Sequence, residues 1–600
     1  MTLPSRWRRR AMCACLGLAI GLAAACGGGG TDHDAWQDAR LAETWTDRET
    51  DVENDATDGD PACTFHLRLP REVRDHVTVP AGACVWIDEP TRLTRGGVLH
   101  LQAGTRVFLR GPGTLTVAQG ARVRWIGTER DPVEVRRAPG SQEGCAGVVL
   151  LSDDERNRLD WVHFLGCADR LADGAARRAQ LTVATGARVR LLDAAFVESG
   201  GHGLAMEPGV ASLTLRRVEA RGSALPWLWI DPEQLGEVVS ASVQRGPVAV
   251  QHGALRSAGN RWTAPGGPYL MEGSLRVLGR LRIDAGATLV WSPDQGLSVE
   301  GRGDLACEGS VDEEVVLRAA SDSLGWRGLR IRGVGAHADL QGLRVLGAGA
   351  TGWMSAPEGT ALWVERGGHV TAADTALDAG DAPALWVDED SSVSLRGPLR
   401  LRSTHPYVLA LPAGALEEAQ RWVEAETTSE GQRALVWGSV LDTPVTWGSW
   451  SWTPEIEGHL RIRSVLTLAP GVTLRFSQRA DVMVEATGHL EVSGREDAPI
   501  SLLGAFPLRG TWRGVAVEGT MAARHLSISD AGAPRAGALV GAAIDLFPSA
   551  SMSLHDSALR NNAGWALRLR GDASVEPLDP VSEGGNTFED NELGALSREP

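Results

Sequence analysis

The chain contains no lysine, because all 59 of its basic residues are arginine. Its glycine-rich runs therefore lack the lysine that a phosphate-binding loop requires. The net charge of −17 argues against a nucleic-acid partner, since phosphate binding needs a basic face. The eight cysteines show no CxxC spacing, and the 14 histidines form no pair at ligand spacing. These absences disfavour nucleotide-binding, nucleic-acid-binding and zinc proteins, and no metal site or cofactor is predicted.

Helical patterns are also scarce, and strand signals replace them. Short runs alternate apolar and polar residues at period two, and glycines punctuate them. The one amphipathic pattern that resembles a helix covers residues 415–424. Many short strands with few helices leave three candidate architectures: a parallel β-solenoid, a propeller, or a string of sandwiches.

Internal repetition is the strongest feature that the chain does have. A turn glycine recurs at spacings of 182 and 185 residues, and a second glycine follows each one after 43, 42 and 43 residues. The first set is Gly104, Gly286 and Gly471, and the second set is Gly147, Gly328 and Gly514. Three consecutive blocks are therefore predicted, at 63–262, 263–446 and 447–600. The spacing leaves open whether they form one continuous rod.

A smaller period within each block favours the solenoid. Matching segments recur after 25 residues in the first block, 24 in the second and 23 in the third. A unit of that length with three short strands is typical of one coil of a parallel β-helix, where each strand stacks on its copy one coil earlier. A propeller blade would need about 40 residues and hairpin turns. The sequence therefore predicts an all-β parallel β-helix.

One segment of the third block also resembles a known family. It reads Gly488-His-Leu-Glu-Val-Ser-Gly494, followed by Pro499-Ile500 and Trp512-Arg-Gly514. This pattern is similar to that of bacterial extracytoplasmic proteins with right-handed parallel β-helix repeats. The resemblance implies the right-handed form of the fold over roughly residues 80–600. It implies little about activity, because this fold carries lyases, hydrolases, adhesins and proteins of no known activity.

The N-terminus indicates export. Arginines at positions 6 and 8–10 precede an apolar run over 11–25, which is too short for a mature membrane-spanning helix. The run ends Leu22-Ala-Ala-Ala-Cys26, which resembles a bacterial lipobox and implies a signal peptide over 1–26 and a lipid on Cys26. Cleavage after Ala25 as an ordinary secretory signal is the alternative. Residues 27–62 are expected to be a disordered acidic tether. We expect a lipoprotein of the outer membrane or cell surface.

The remaining cysteines fit the coil length. Cys63 and Cys84 are 21 residues apart, and Cys145 and Cys167 are 22 apart. Cysteines at matching positions of adjacent coils would lie about 5 Å apart, which suits a disulfide. Two disulfides are therefore predicted, with burial as small apolar side chains as the alternative. No role is assigned to Cys307.

Tryptophan is abundant, with 21 Trp against two Tyr and eight Phe. Trp447, Trp450 and Trp452 form the candidate exposed strip on which a sugar chain would stack. Period two places Trp450 and Trp452 on one strand face. Burial of the pair is the alternative. Four tryptophans that recur at equivalent places are expected to fill the interior, namely Trp229, Trp326, Trp386 and Trp512.

No catalytic set is recognised. Gly201-His202-Gly203 resembles the histidine motif of polygalacturonases, but the matching aspartate pair, Asp153-Asp154, lies two coils upstream and the required lysine is absent. A turn before a strand is the simpler interpretation. The acidic run 388–390 is expected to be a solvent-facing turn. Calcium between coils stays an alternative, because oxygen ligands are plentiful.

These observations favour a non-catalytic, lipid-anchored surface protein that binds glycan or matrix or mediates surface contacts. Its partners would be the membrane, through the anchor, and a polysaccharide or surface protein. The main alternative is a polysaccharide lyase or glycoside hydrolase of β-helix fold whose active site is not recognised. A structural spacer without a ligand is the third hypothesis.

Overall fold

The computed structural model describes residues 63, 65–172, 175–239, 246–264, 266–321, 325–349, 359–427, 431–535 and 540–599. The expected signal peptide (1–26) with Cys26, and the expected tether (27–62), lie outside the described residues.

The described residues form an all-β fold of short parallel strands. Within them lie 61 strands, two α-helices and one 3-10 turn. Every pairing between these strands is parallel, and most strands pair with the third strand before and after them in the chain. Three strands thus complete one coil, and the next coil adds one strand to each of three sheets. This topology is consistent with the predicted parallel β-helix.

The strands are assigned to seven sheets, and the first three of these begin at the first coil. Sheet A contains β1 (His66–Arg68), β4 (Cys84–Ile87), β7 (Arg106–Leu109), β10 (Val133–Arg137), β13 (Val162–Leu165), β16 (Ala195–Val197) and β19 (Glu219–Arg221). Sheet B contains β2 (Glu72–Val73), β5 (Thr91–Leu93), β8 (Thr114–Val117), β11 (Gly147–Leu150), β14 (Ala179–Val183), β17 (His202–Met206), β20 (Leu228–Ile230), β21 (Val248–Val250), β24 (Tyr269–Met271), β27 (Thr288–Trp291), β30 (Val315–Ala319), β33 (Leu343–Leu346), β36 (Thr375–Asp378), β39 (Leu399–Ser403) and β41 (Val423–Thr427). Sheet C contains β3 (His76–Val79), β6 (Val98–Leu101), β9 (Arg122–Ile126), β12 (Arg158–Asp160), β15 (Arg188–Leu192) and β18 (Ser212–Arg216).

The other four sheets begin later in the chain. Sheet D contains β22 (Gly253–Leu255), β25 (Leu275–Val277), β28 (Leu297–Glu300), β31 (Leu329–Arg332), β34 (Leu362–Glu365), β37 (Leu385–Val387), β40 (Tyr407–Pro412), β42 (Arg433–Trp437), β45 (Thr453–Glu457), β48 (Thr473–Phe476), β51 (Ile500–Gly504), β54 (Leu526–Ser529), β57 (Ala558–Arg560) and β60 (Thr587–Glu589). Sheet E contains β23 (Asn260–Trp262), β26 (Arg280–Asp284), β29 (Asp304–Glu308), β32 (His337–Gln341), β35 (His369–Ala373) and β38 (Ser392–Leu395). Sheet F contains β43 (Val440–Leu441), β46 (His459–Ile462), β49 (Asp481–Val484), β52 (Val515–Val517), β55 (Ala542–Leu546), β58 (Trp565–Arg570) and β61 (Gly594–Glu599). Sheet G contains β44 (Val445–Trp447), β47 (Val465–Leu468), β50 (His489–Ser493), β53 (Thr520–Arg524), β56 (Ser551–His555) and β59 (Ser574–Glu576). The helices are α1 (Pro232–Val239) and α2 (Leu416–Trp422), and the 3-10 turn is Ala413–Ala415.

The two helices mark where sheets end and begin. Near α1, sheets A and C end at β19 and β18, sheets D and E begin, and the 15-stranded sheet B continues. Near α2, sheets B and E end, sheets F and G begin, and the 14-stranded sheet D continues. Strand pairing therefore runs across both proposed block limits, 262/263 and 446/447, through β23 with β26 and β44 with β47.

Helix α1 follows directly from its local sequence. Asp231 accepts a hydrogen bond from the backbone N–H of Glu233 at 2.8 Å, as an N-cap residue does, and Pro232 occupies the first helical position. The Glu233 carboxylate then accepts the backbone N–H groups of Arg256 and Ser257, each at 2.7 Å. A helix side chain thereby satisfies donors beside the start of sheet E.

Helix α2 lies within the amphipathic segment 415–424. Its carboxylates accept backbone N–H groups from strands of two sheets. Glu418 accepts the backbone N–H of Leu395, the last residue of β38, at 2.7 Å. Glu417 accepts that of Thr446 in β44 at 3.0 Å. Carboxylates of α2 therefore serve the last strand of sheet E and the first strand of sheet G.

The interior is filled by apolar side chains stacked in register. Along β26, β29 and β32, Ile283 aligns with Cys307, and Cys307 aligns with Leu340, all three buried. Larger rings stack in the same way: Phe476 and Trp512 lie 4.1 Å apart between ring centroids. Because apolar side chains of one coil pack on apolar side chains of the next, each coil repeats the residue pattern of the one before.

The repeated turn glycines have a conformational reason. Gly104, Gly286 and Gly471 have φ of +72°, +75° and +79°, in the left-handed region that glycine adopts without steric cost. The three glycines therefore share one turn conformation.

Both predicted disulfides are present. Cys63 pairs with Cys84 and Cys145 pairs with Cys167, with Cα–Cα distances of 5.6 and 5.2 Å. Each bridge links neighbouring coils: β1 pairs with β4 at the first, and β10 and β11 pair with β13 and β14 at the second. Cys307 is buried with a free thiol.

Candidate functional site

Three tryptophans stand on the outer side of sheet D. In β34, Leu362 and Val364 belong to the interior core, so period two directs Trp363 outward. In β37 the inward residues are Leu385 and Val387, which leaves Trp386 outward and in register with Trp363. Trp437, at the end of β42, also lies outside the core and is partly exposed, like the other two. We call Trp363, Trp386 and Trp437 the tryptophan face.

Hydrogen bonds fix the rings and leave ring surface exposed. The indole N–H groups of Trp363 and Trp386 both donate to Asp388 Oδ1, at 3.3 and 3.1 Å. The indole N–H of Trp437 donates to the carbonyl of Val387 at 2.8 Å. The rings of Trp386 and Trp437 meet edge to face, with centroids 5.4 Å apart and an interplanar angle of 64°. With their polar atoms engaged, the rings offer apolar faces to a ligand.

Arginine–carboxylate pairs lie beside the first ring. Glu365, with a side chain 5% exposed, pairs with Arg330 at 2.6 Å and with Arg332 at 3.3 Å. The guanidinium of Arg330 also lies 4.1 Å from the centre of the Trp363 ring. The Arg330 guanidinium therefore already forms a cation–π contact with one tryptophan of this face.

Carboxylates beside the other two rings have raised pKa values. Burial raises the pKa of Asp388, and the charges of Glu365 and Asp390 add to this, although the two indole hydrogen bonds oppose it. Burial also raises the pKa of Glu457, helped by repulsion from Glu455 and Glu389. Like charges thus collect at this end of the face.

The outer side of sheet D continues from the tryptophan face toward α1. Moving back from Trp363, the aligned outward residues are Arg330, Ser298 and Arg276. A cavity of about 520 Å³ opens at that end, lined by Asp231, Glu233, His252, Arg256 and Arg276. From β22 to β42 is seven strand steps, which at about 4.8 Å each gives about 34 Å. This length suits an extended polymer.

The tryptophan strip expected at 447–452 does not form an exposed surface. Trp447 and Trp452 are 0% and 1% exposed and belong to the core, while Trp450 is partly buried with its ring 5.0 Å from that of Trp452. Trp447 points inward from β44, and the segment after it returns Trp452 to the interior. Burial, the alternative considered for this pair, is correct for Trp452, and the three rings do not provide a platform for a sugar.

Four tryptophans were expected to fill the interior, and two of them face outward instead. Trp326 and Trp512 are fully buried in the core, as expected. Trp386 belongs to the tryptophan face, and Trp229 lies in a separate outer cluster, beneath the Arg177 guanidinium at 5.1 Å. In both strands the tryptophan stands between two apolar residues that point inward. The alternation of side chains along a strand was therefore the signal that would have placed these two tryptophans on the outer side.

The polygalacturonase-like motif is structural. His202 is 3% exposed, its Nδ1 lies 2.6 Å from the carbonyl of Pro226, and burial lowers its pKa. Asp153 and Asp154 lie on an exposed turn, where Asp154 pairs with Arg156 at 2.6 Å. Asp388 of the acidic run is held by two indoles, and Glu389 and Asp390 are exposed.

No protein-family model and no curated protein matches the chain. Within the described ranges, no group of three or more His, Cys, Asp or Glu residues is arranged to hold a metal ion. The same residues contain no helix that is long and apolar enough to cross a membrane.

Proposed function

We propose that the chain is an exported right-handed parallel β-helix protein that binds an extended glycan along the outer side of sheet D, without catalysis. The observation that carries this proposal is the tryptophan face, where three partly exposed rings lie on β34, β37 and β42. Flat apolar rings stack on the apolar faces of sugar rings, and fixed polar groups beside them orient hydroxyl groups. The length of the sheet allows contact with several sugar units.

Export and anchoring form the second part of the proposal. Disulfides persist in oxidising compartments outside the cytoplasm, so the two bridges support export. The lipobox-like segment supports a lipid on Cys26, with 27–62 as a tether to the outer membrane or cell surface. Mass spectrometry of the mature N-terminus tests this. A diacylglyceryl cysteine at Cys26 is expected, and an unmodified N-terminus after Ala25 would contradict it.

The binding proposal is tested with a glycan array and the purified full chain. Trp386→Ala and Trp437→Ala are expected to weaken binding by about tenfold each, since each of these partly exposed rings contributes stacking area. Trp450→Ala is the control, because that ring belongs to no strand of sheet D and packs against Trp452 and the core. Equal binding by all three variants and the unmodified chain would contradict the proposal.

A polysaccharide-cleaving enzyme is the second candidate function. It is favoured by the raised pKa of Asp388 next to Glu365, which is paired with arginine, since glycosidases use two carboxyl groups in different environments. Glu365 is nearly inaccessible, which weighs against a role as nucleophile. Release of reducing sugar or unsaturated product, abolished by Asp388→Asn, would overturn the non-catalytic proposal.

A further inference from the structure

The corner between Trp386 and Trp437 has the geometry of a binding niche. The strand between them, β40, places Ala410 in register with Trp386, and this small residue is fully buried beneath the rings. The two rings meet at 64°, so they present two aromatic walls. Their indole N–H groups are already satisfied by Asp388 and Val387. What remains exposed is the negative surface of two π systems, which attracts cations.

The charges around this corner also favour a cationic ligand. Arg330 and Arg332 are engaged by Glu365, and Arg433 by Glu455 at 2.7 Å. In the part of the chain that the structure describes, no arginine forms an ion pair with Asp388, Glu389 or Glu457. Among those residues, these three carboxyl groups therefore have no cationic partner, and they lie beside rings that carry no guanidinium. The contrast with Trp363 is direct, because Arg330 covers that ring.

We propose that the niche formed by Trp386, Trp437 and Asp388 takes a protonated amino group, so that the glycan bound along sheet D is an amino-sugar polymer with free amines. This inference rests on the proposed glycan-binding function and specifies its ligand. A polymer of uronates would bring its carboxylates against three carboxyl groups and would be repelled. A neutral polymer would stack on the rings and leave the charge unmatched.

The test compares three soluble oligosaccharides of matched length by calorimetry with the purified full chain: a glucosamine oligomer, its fully N-acetylated form, and an oligogalacturonate. The glucosamine oligomer is expected to bind about tenfold more tightly than its acetylated form, with affinity that falls as salt is added. Asp388→Asn keeps an oxygen for the indole hydrogen bonds and removes the charge. It is expected to abolish the preference for the free amine, and Trp450→Ala is expected to retain it.

The possible results distinguish a failure of the cationic niche from a failure of the proposed glycan binding. Equal affinity for the amine and its acetylated form, with both lost in Trp386→Ala, would overturn the cationic niche and leave glycan binding standing. Preference for the oligogalacturonate would do the same. Absence of binding to all three oligomers, together with a blank glycan array, would overturn both. If Trp386→Ala fails to fold, Asp388→Asn and Glu457→Gln decide the question by the amine preference alone.

Discussion

The turn glycine Gly488 provides a sharp test of how closely successive coils approach. A Cβ at this position would lie 2.0 Å from the carbonyl oxygen of Ile462, at the end of β46. Ordinary contact begins near 3.4 Å, so about 1.4 Å of movement is needed. The carbonyl cannot withdraw freely, because it accepts the backbone N–H of Glu485 at 3.0 Å. Gly113 and Gly303 face the same conflict, with carbonyl oxygens at 2.0 and 2.1 Å.

The expected cost of Gly488→Ala follows from these contacts. Overpacking costs about 1–3 kcal/mol, and loss of the backbone hydrogen bond adds about 1–3 kcal/mol. The restricted unfolded chain offsets about 0.4–1 kcal/mol. We therefore expect a loss of about 1–6 kcal/mol in the free energy of opening around β46, β47 and β50.

Amide hydrogen exchange measures this locally, and urea unfolding followed by circular dichroism reports the global effect. Gly259→Ala is the matched control, because a Cβ there meets no atom within 4 Å and its φ is not positive. The control is expected to keep or slightly raise stability. Protection factors in Gly488→Ala within about 0.5 kcal/mol of the unmodified chain would refute the argument that coil contact requires glycine here.

Three further predictions concern sulfur and acid. Replacing Cys145 and Cys167 together by Ala opens a 22-residue loop and is expected to cost about 3 kcal/mol in a urea titration; an unchanged midpoint would contradict it. Burial raises the pKa of the Cys307 thiol to about 12, so iodoacetamide at pH 8 is expected to label it only after unfolding, with labelling mapped by mass spectrometry. Hydrogen bonding from Arg156 lowers the pKa of Asp154 to about 2, so its stabilising effect is present above the ordinary carboxyl pKa and is lost as pH falls toward 2. Asp154→Asn is expected to flatten that part of the acid-unfolding curve, and an unchanged curve would contradict the assignment.

The features that the sequence predicted well are those set by one-dimensional spacing. Cysteines 21 and 22 residues apart fall on neighbouring coils and form bridges, although residues paired between coils are 18 apart at His66 and Cys84 and 34 apart at Arg124 and Arg158. Turns that need positive φ recur as glycines at fixed intervals, as at Gly286 and Gly471. Both signals depend on local geometry that each coil repeats, and neither requires knowledge of which way a side chain points.

The tryptophans show where that reasoning stops. Repetition at equivalent positions shows that Trp386 and Trp512 are each part of a pattern, but it does not distinguish the inner from the outer side of a strand. The alternation of side chains along a strand does distinguish them, because the residues on either side of Trp386 are Leu385 and Val387, which point inward. Helix α1 was missed for a related reason: eight residues carry little periodicity, and the Asp231-Pro232 start was the informative signal.

Sheet D illustrates how such a fold acquires a binding surface without disturbing its core. One inward position keeps leucine over six consecutive coils, while its outward neighbour changes freely. The inward residues are Leu275, Leu297, Leu329, Leu362, Leu385 and Leu409, and the outward residues are Arg276, Ser298, Arg330, Trp363, Trp386 and Ala410. Inward positions are held by packing against identical neighbours, and a change there costs stability. Outward positions carry no such packing constraint, so aromatic and charged residues can occupy that side of the sheet without disturbing the core.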